Sequence, residues 1–479
     1  MKKHLKYLAA LAMLSLYSCS DFLTLSPETQ RNVLGYYNTP SDFNNALVGS
    51  YATLRASGLY GSSLIWMGEV STDNSDYGVT RQAVNVDNYQ FIDKTYTSLN
   101  SVIYAAWRDH YAGLRRVNAI INRIQDVEMA DNLKNQYLGE AQFLRALFYF
   151  NLVRLFGDVP LVTEEITDPD GGADLARTPK DKAYELIIAD LTSAEAKLPA
   201  TYPAAQAGRA TQGAARGLLG KVYLTQKAWD KAAAKLKEVI DSGTYRLLPS
   251  YADVFSFTTP VNAEILFNVQ YKSGNTGQGS NFGRAFAPWQ AGATVLGPNA
   301  GTGGGTNRPT EDMENAYEEG DLRKPFTMQS SYINNVGNVV NERYVSKYIQ
   351  FGALAGDSDV DFPVLRYADV LLMYGEALNE LGQTEQAISF LNQVRTRAGL
   401  AGLSGLSQEG YRLAMEQERR VELAFENHRW FDLIRTDRYL TVLRSKGSNV
   451  KDFHILYLIP QLELDLNEAL TQNPGYSEN

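Results

Sequence analysis

The chain is short of five things, and each shortage removes a class of function. It has one cysteine, Cys19, in 479 residues, so it can close no internal disulfide and offers no thiolate pair to zinc. It has four histidines, and no two of His110, His428 and His454 stand at a helical metal-binding spacing. The H-E-x-x-H, Walker A and G-x-S-x-G patterns are absent, which removes zincin, phosphate-loop and serine-hydrolase readings. Basic charge is also short, with 45 Lys and Arg against 54 Asp and Glu and a net charge of −9. An acidic chain lacks the positive face that nucleic acid requires. Finally, no uninterrupted apolar run approaches the roughly 20 residues of a membrane-spanning helix.

What is present points to a large folded chain. Hydrophobic residues make up 44% and charged residues 21%, a globular balance. At this length more than one lobe is expected. Tyrosine is abundant at 29 copies, beside 19 Phe and 5 Trp. Aromatic excess fills cores, but exposed rings also stack on flat apolar ligands such as sugars.

Lys2, Lys3 and Lys6 precede the short apolar stretch 8–16, and "LYSC" ends at Cys19. The arrangement is that of a secretory signal (1–18) closed by a lipobox, with Cys19 as the acylated first residue of the mature chain (19–479). Cleavage deletes the three lysines and takes the net charge from −9 to −12.

"EAQFLRALFYFNLVRLFGDVPLV" (140–162) is almost continuously apolar, broken by a few polar residues. A helix apolar on most sides is buried between neighbours, and Gly157 with Pro160 ends it. Two further segments superpose with an offset of 155 residues. Leu219, Gly220, Tyr223, Ala232, Leu236 and Val239 match Tyr374, Gly375, Leu378, Ala387, Leu391 and Val394. This is the tetratricopeptide helix-turn-helix spacing, in which small residues admit the partner helix. Two copies are too few to stand alone, so degenerate pairs are expected at 102–124 with 132–156 and at 408–426 with 430–439. Thr178-Pro179-Lys180-Asp181 reads as a capping box with Pro at the first helical position. The fold class is therefore mostly α: a scaffold of about four helix pairs (mainly 19–60, 101–242 and 365–445). An irregular lobe with a few short strands (mainly 61–100 and 243–364) completes it.

"AEILFNVQY" and "ERYVSKYIQF" read as strands, the second alternating at Tyr344, Ser346, Tyr348 and Gln350. Residues 273–306 hold ten glycines in 34 positions, together with Phe282, Phe286 and Trp289. Such a segment is expected to stay outside the core, and its aromatics serve either as a binding surface or as plugs that pin it down.

Glu422 and Glu426, one helical turn apart, are the only tempting acid pair, but Arg419, Arg420 and Arg429 interleave with them. Neighbouring cations hold carboxylates ionised, so a structural ion-pair network is expected and no enzyme activity. Asp357, Asp359 and Asp361 are spaced like a calcium loop, but Phe362 stands where that loop needs glycine. A capped turn before a helix at Leu365 is the better reading, with a weak calcium site as the alternative and no other cofactor.

The motifs together resemble the SusD/RagB family of Bacteroidetes surface lipoproteins. They are "CSDFL", the 140–162 helix, "DFPVLRYADVLLMYGEALNELG", "LNQVRTRAGL", "ERRVELAFENHRWFDLIR" and "LYLIPQLELDLNEALTQNPGY". The resemblance implies a glycan- or nutrient-binding protein on the outer membrane, facing outward. It would act as the lid of a SusC-like TonB-dependent transporter. A tetratricopeptide scaffold for a peptide or protein is the alternative. By resemblance the ligand site falls just ahead of the 102–124 helix, at Tyr96 and Asn100, and in the Gly-rich insert. Upstream, Asp73, Asn74, Asp76, Tyr77 and Arg81 supply polar groups for sugar hydroxyls. Asn100 is equally placed to cap the helix. Trp289 leads the candidates, with Phe286 beside it.

If the acyl chain on Cys19 is the anchor, Cys19→Ala should release the protein from the membrane fraction. Radiolabelled palmitate should enter the wild type alone; a wild type that takes up no label contradicts the assignment.

Overall fold

The computed structural model describes residues 36–166 and 174–476; Cys19 lies outside them. The main helices are α1 (Pro40–Thr53), α2 (Val86–Asp93), α3 (Ser101–Arg123), α4 (Asp131–Phe156), α5 (Lys180–Lys197) and α6 (Gln212–Thr225). They continue as α7 (Trp229–Asp241), α8 (Tyr367–Glu380), α9 (Thr384–Arg397), α10 (Gln408–Glu422), α11 (Arg429–Arg435) and α12 (Tyr439–Ser445). Helices α3 to α9 pack each against the next, and α10 closes on α8 and α9. This is the stacking of paired helices that the repeat spacing requires: a mostly α, tetratricopeptide-like scaffold. No helix among the described residues is long and apolar enough to cross a membrane.

Helix α4 is the spine. Residues Phe143, Leu144, Ala146, Leu147, Phe148, Tyr149 and Phe150 are all essentially inaccessible, and the charged residues Glu140, Arg145 and Arg154 along the helix are each engaged. Glu140 accepts from Tyr51 Oη (2.9 Å) and pairs with Arg209 (3.1 Å). Arg145 forks onto Asp190 of α5 at 2.7 and 2.8 Å. Arg154 lies between the rings of Phe150 and Phe431, 3.9 and 4.0 Å from their centroids. The helix ends where Gly157 takes φ +73° while its N–H still bonds Val153 O.

The repeat glycines sit at close helix approaches. A Cβ on Gly220 would lie 2.7 Å from Leu236 of α7, and one on Gly375 would lie 2.3 Å from Tyr411 Oη of α10. The degenerate pair α3/α4 uses the same device, since a Cβ on Gly113 would lie 2.5 Å from the ring of Phe148.

Three local expectations need correction. Helix α5 starts at Lys180 with Pro179 in the cap position and no side-chain cap from Thr178. Thr178 instead exchanges both backbone bonds with Val159, and the Asp158 carboxylate accepts from Lys180 N at 2.8 Å. Of "ERYVSKYIQF" only Tyr344–Val345 is strand; Ile349 N turns back to Ser346 O, and Lys347 and Tyr348 are both drawn into the core. The helix expected at Leu365 begins later: Leu365 lies in the strand Phe362–Arg366, and α8 starts at Tyr367.

That strand, β2 (Phe362–Arg366), pairs antiparallel with β1 (Ile265–Val269). The chain therefore leaves the scaffold for its irregular lobe and returns to it through one ladder, and β2 runs directly into α8.

Gly220→Leu and Gly375→Leu should each overpack a seam that admits no Cβ and lower stability by about 1–3 kcal/mol or more. Unchanged melting temperatures for both would contradict the packing.

Candidate functional site

The lobe is assembled by backbone contact. Ser75–Asp76 pairs antiparallel with Arg308–Pro309, which brings the 71–81 segment against the end of the Gly-rich insert, and Gly78 N donates to Gly305 O at 2.7 Å. Within the insert, the N–H groups of Gly303, Gly304, Gly305 and Thr306 donate to the carbonyls of Ala291, Arg284, Ala287 and Ala285 at 2.8–2.9 Å. A Cβ on Gly303 would lie 2.1 Å from Pro288 O. The glycines thus let one backbone lie on another, and Gly303 and Gly305 are buried. This corrects the expectation of a segment held outside the core.

Phe282 and Phe286 are the plugs. Both are 2% exposed and close on the Tyr348 ring at 5.7 Å. Trp289 is the opposite case: 43% exposed, with its backbone N–H held by Glu342 Oε1 at 3.3 Å. A Cβ on Gly305 would lie 3.1 Å from the Trp289 Cβ and 3.3 Å from Val79. Around Gly78 converge Arg308 and Glu342, and Arg308 pairs with Asp76 at 2.6 Å. Burial, the larger influence, raises the Glu342 carboxyl above its ordinary range against the hydrogen bond from Trp289 and the charge of Arg308. Further along, the half-buried Tyr77 packs 5.4 Å from Tyr89, whose hydroxyl donates to Val79 O. Arg81 lies 4.2 Å over the Tyr89 ring and pairs with Asp93 at 2.7 Å. The structure therefore joins Trp289, Tyr77, Asp76 and Arg81 through a continuous set of contacts. It adds Tyr89, Arg308 and Glu342, which sequence reasoning missed. Tyr89, twelve residues beyond Tyr77, was visible as an aromatic; nothing local marked Arg308 or Glu342.

The remaining candidates are enclosed. Tyr96 is 8% exposed and packs on Phe91 and Tyr457, with its hydroxyl 3.3 Å from Ser71 Oγ. Asn100 caps α3: its Oδ1 accepts from Val102 N and Ile103 N (3.0 and 3.1 Å) while its amide donates to Asp87 O and Gln90. Asp73 is forked by Arg429 at 2.9 and 2.8 Å. Burial works to raise its carboxyl, but Arg429 and Arg420 outweigh it and hold the group below its usual range. Asn74 donates to Glu69 (2.8 Å) and accepts from Arg420 (2.8 Å). These residues, with Phe286, hold the fold and have no free polar edge or ring face for a ligand.

Glu422 and Glu426 form the expected ion-pair network, although with cations from other elements. Arg366 reaches both, Arg397 and Arg323 reach Glu422, and Lys347 reaches Glu426 at 2.8 Å. Burial would raise both carboxyls; Arg397, Arg366 and Arg323 pull Glu422 far below its usual range, and Arg366 with Lys347 lowers Glu426. Neither can serve as a proton donor near neutrality. The three aspartates fasten a loop: Asp357 accepts from Gly274 N and Asn275 N, Asp359 from Ser273 N, and Asp361 from Tyr271 N, all at 2.8–2.9 Å.

Two family models match the chain: one described as "SusD family" over residues 321–476, the other as "Starch-binding associating with outer membrane" over 21–224. SusD-like protein P2 of Formosa agariphila is 29% identical, covering 99% of this chain and 100% of the relative. The chain belongs to the SusD family. A second SusD-like protein of the same organism, P25, is 27% identical over 96% of this chain and 97% of its own. Among solved structures, a laminarin binding SusD-like protein superposes with a TM-score of 0.81 at 28% identity, covering 92% of this SusD-family chain and all of the other. A surface glycan-binding protein A from Bacteroides thetaiotaomicron shares the fold at a TM-score of 0.80 and 21% identity, with 92% and 100% covered.

Proposed function

We propose that this chain is a cell-surface glycan-binding lipoprotein and that the Trp289 surface is its binding face. The observation that carries the reading is the half-exposed Trp289 ring on a backbone fixed by the glycine ladder, beside the Asp76–Arg308 pair and Glu342. A sugar offers an apolar face of C–H groups to such a ring and hydroxyls to the charged groups around it. The matched model described as associating with the outer membrane, the similarity to a laminarin binding SusD-like protein and the lipobox at Cys19 support the setting. Acylation at Cys19 would hold the chain on the outer membrane, facing outward. There it would serve as the substrate-binding lid of a SusC-like TonB-dependent transporter.

Trp289→Ala should weaken binding of a glycan ligand about tenfold, or roughly 1–2 kcal/mol, without lowering the melting temperature. Asn100→Ala should do the reverse, costing about 1 kcal/mol of stability through the lost cap and leaving affinity unchanged. Calorimetric titration and melting curves on both variants decide the matter. Unchanged affinity in Trp289→Ala would remove the platform role.

A further inference from the structure

The scaffold carries a second cleft, of about 380 Å³, between α4, α5, α6 and α11. It shares no residue with the Trp289 surface, and the charges in and behind it do not balance. Lys221 pairs with Asp369 at 2.9 Å. Arg419 pairs with Asp369 (2.8 Å) and Asp432 (2.9 Å). Arg435 takes Glu376 and Asp432, at 2.8 and 2.9 Å. Asp369, Asp432 and Glu376 are thereby matched one for one by Lys221, Arg419 and Arg435, the exposed Lys180 and Asp181 at the rim offset each other, and His428, kept neutral by burial and by Lys221, adds no charge.

Arg154 is the cation left over. Its Nε donates to Phe150 O (3.1 Å) and one Nη to Asn151 Oδ1 (2.6 Å), and its plane lies between two phenyl rings. No carboxylate lies within ion-pair distance among the described residues, and its Nη1, in a residue that lines the cleft, has no hydrogen-bond partner there. Desolvation lowers the guanidinium to about 10, against the pull of Tyr60, Tyr184, Asp432 and Asp369, so it remains charged near neutrality. A desolvated cation without an anion is costly, and a guanidinium edge fits a planar carboxylate. The lining also carries Lys180, Asp181, Lys221, His428 and Asp432, and its apolar side chains include Val153, Leu224, Met373, Phe431 and Ile434. A fully hydrated inorganic anion would gain nothing from them.

We propose that this cleft binds an organic carboxylate with a short apolar body, the carboxylate on Arg154 Nη1 and the body against Phe431 and its apolar neighbours. The test is calorimetric titration of the purified protein with butyrate, acetate, sulfate and butyramide at fixed ionic strength. Butyrate should bind saturably and raise the melting temperature. Acetate should bind about tenfold more weakly for want of two methylenes, and butyramide and sulfate should give no saturable signal. Arg154→Met should abolish butyrate binding. Should that variant not fold, Gln226→Glu, an exposed change at the cleft rim, adds a like charge and should weaken butyrate about threefold or more. Absence of a butyrate signal, sulfate binding as tightly as butyrate, or butyrate affinity unchanged in either variant would overturn the proposal.

Discussion

The buried guanidinium of Arg366 is the contact on which both halves of the molecule converge. It stands at the junction of β2 and α8, where the chain re-enters the scaffold, with its side chain 1% exposed. From there it reaches Glu264 beside β1, Glu422 at the end of α10, and Glu426 beyond it. Glu426 in turn holds Lys347 from the lobe, and Glu422 holds Arg323, also from the lobe, and Arg397 from α9. Each ion is too buried for water to serve as a substitute partner, so the loss of one leaves its neighbours uncompensated, at about 3–5 kcal/mol. An apolar core would hold the same elements together with less geometric demand. The charged one fixes which atoms must meet, and with them the register between lobe and scaffold.

Beside this network the chain adopts backbone conformations that few side chains favour. Phe425 and Asn427 take φ of +64° and +63°, and Glu69 accepts from both of their N–H groups at 3.2 Å. Burial raises the Glu69 carboxyl to about 7, against its hydrogen bonds and the charge of Lys347. The lobe is thereby clamped from the 63–74 side as well, since Asn74 and Asp73 are tied to Glu69, Arg420 and Arg429. Trp289 is presented on the outer surface of this assembly by backbone-to-backbone bonding. As the proposed platform, a ring so held would lose little entropy when a ligand arrives.

The legible parts of the sequence were those with a period or a steric rule. The all-round apolar run of α4, the paired glycines of α6 and α8, and the plug alternative for Phe282 and Phe286 all follow from local chemistry. So did the ionised state of Glu422 and Glu426, although the cations named from the sequence, Arg419, Arg420 and Arg429, serve other acids. Tertiary pairing across 25 to 99 residues leaves no local trace. The same blindness explains the site. Asp73, Asn74 and Asn100 look like surface polar groups until their buried partners are known, and Tyr96 looks free until Tyr457 covers it. Glycine density was misjudged for a related reason. Absence of side chains suggests looseness, yet here it permits the closest backbone packing in the lobe.

The central claim, that the Arg366 network sets lobe against scaffold, is tested most directly by Arg366→Met, followed by thermal melting and by amide exchange of residues 344–348 and of α10. Loss of about 3–5 kcal/mol, with protection lost on both sides of the junction, is the predicted result. A variant that melts and exchanges as the wild type does would contradict the account.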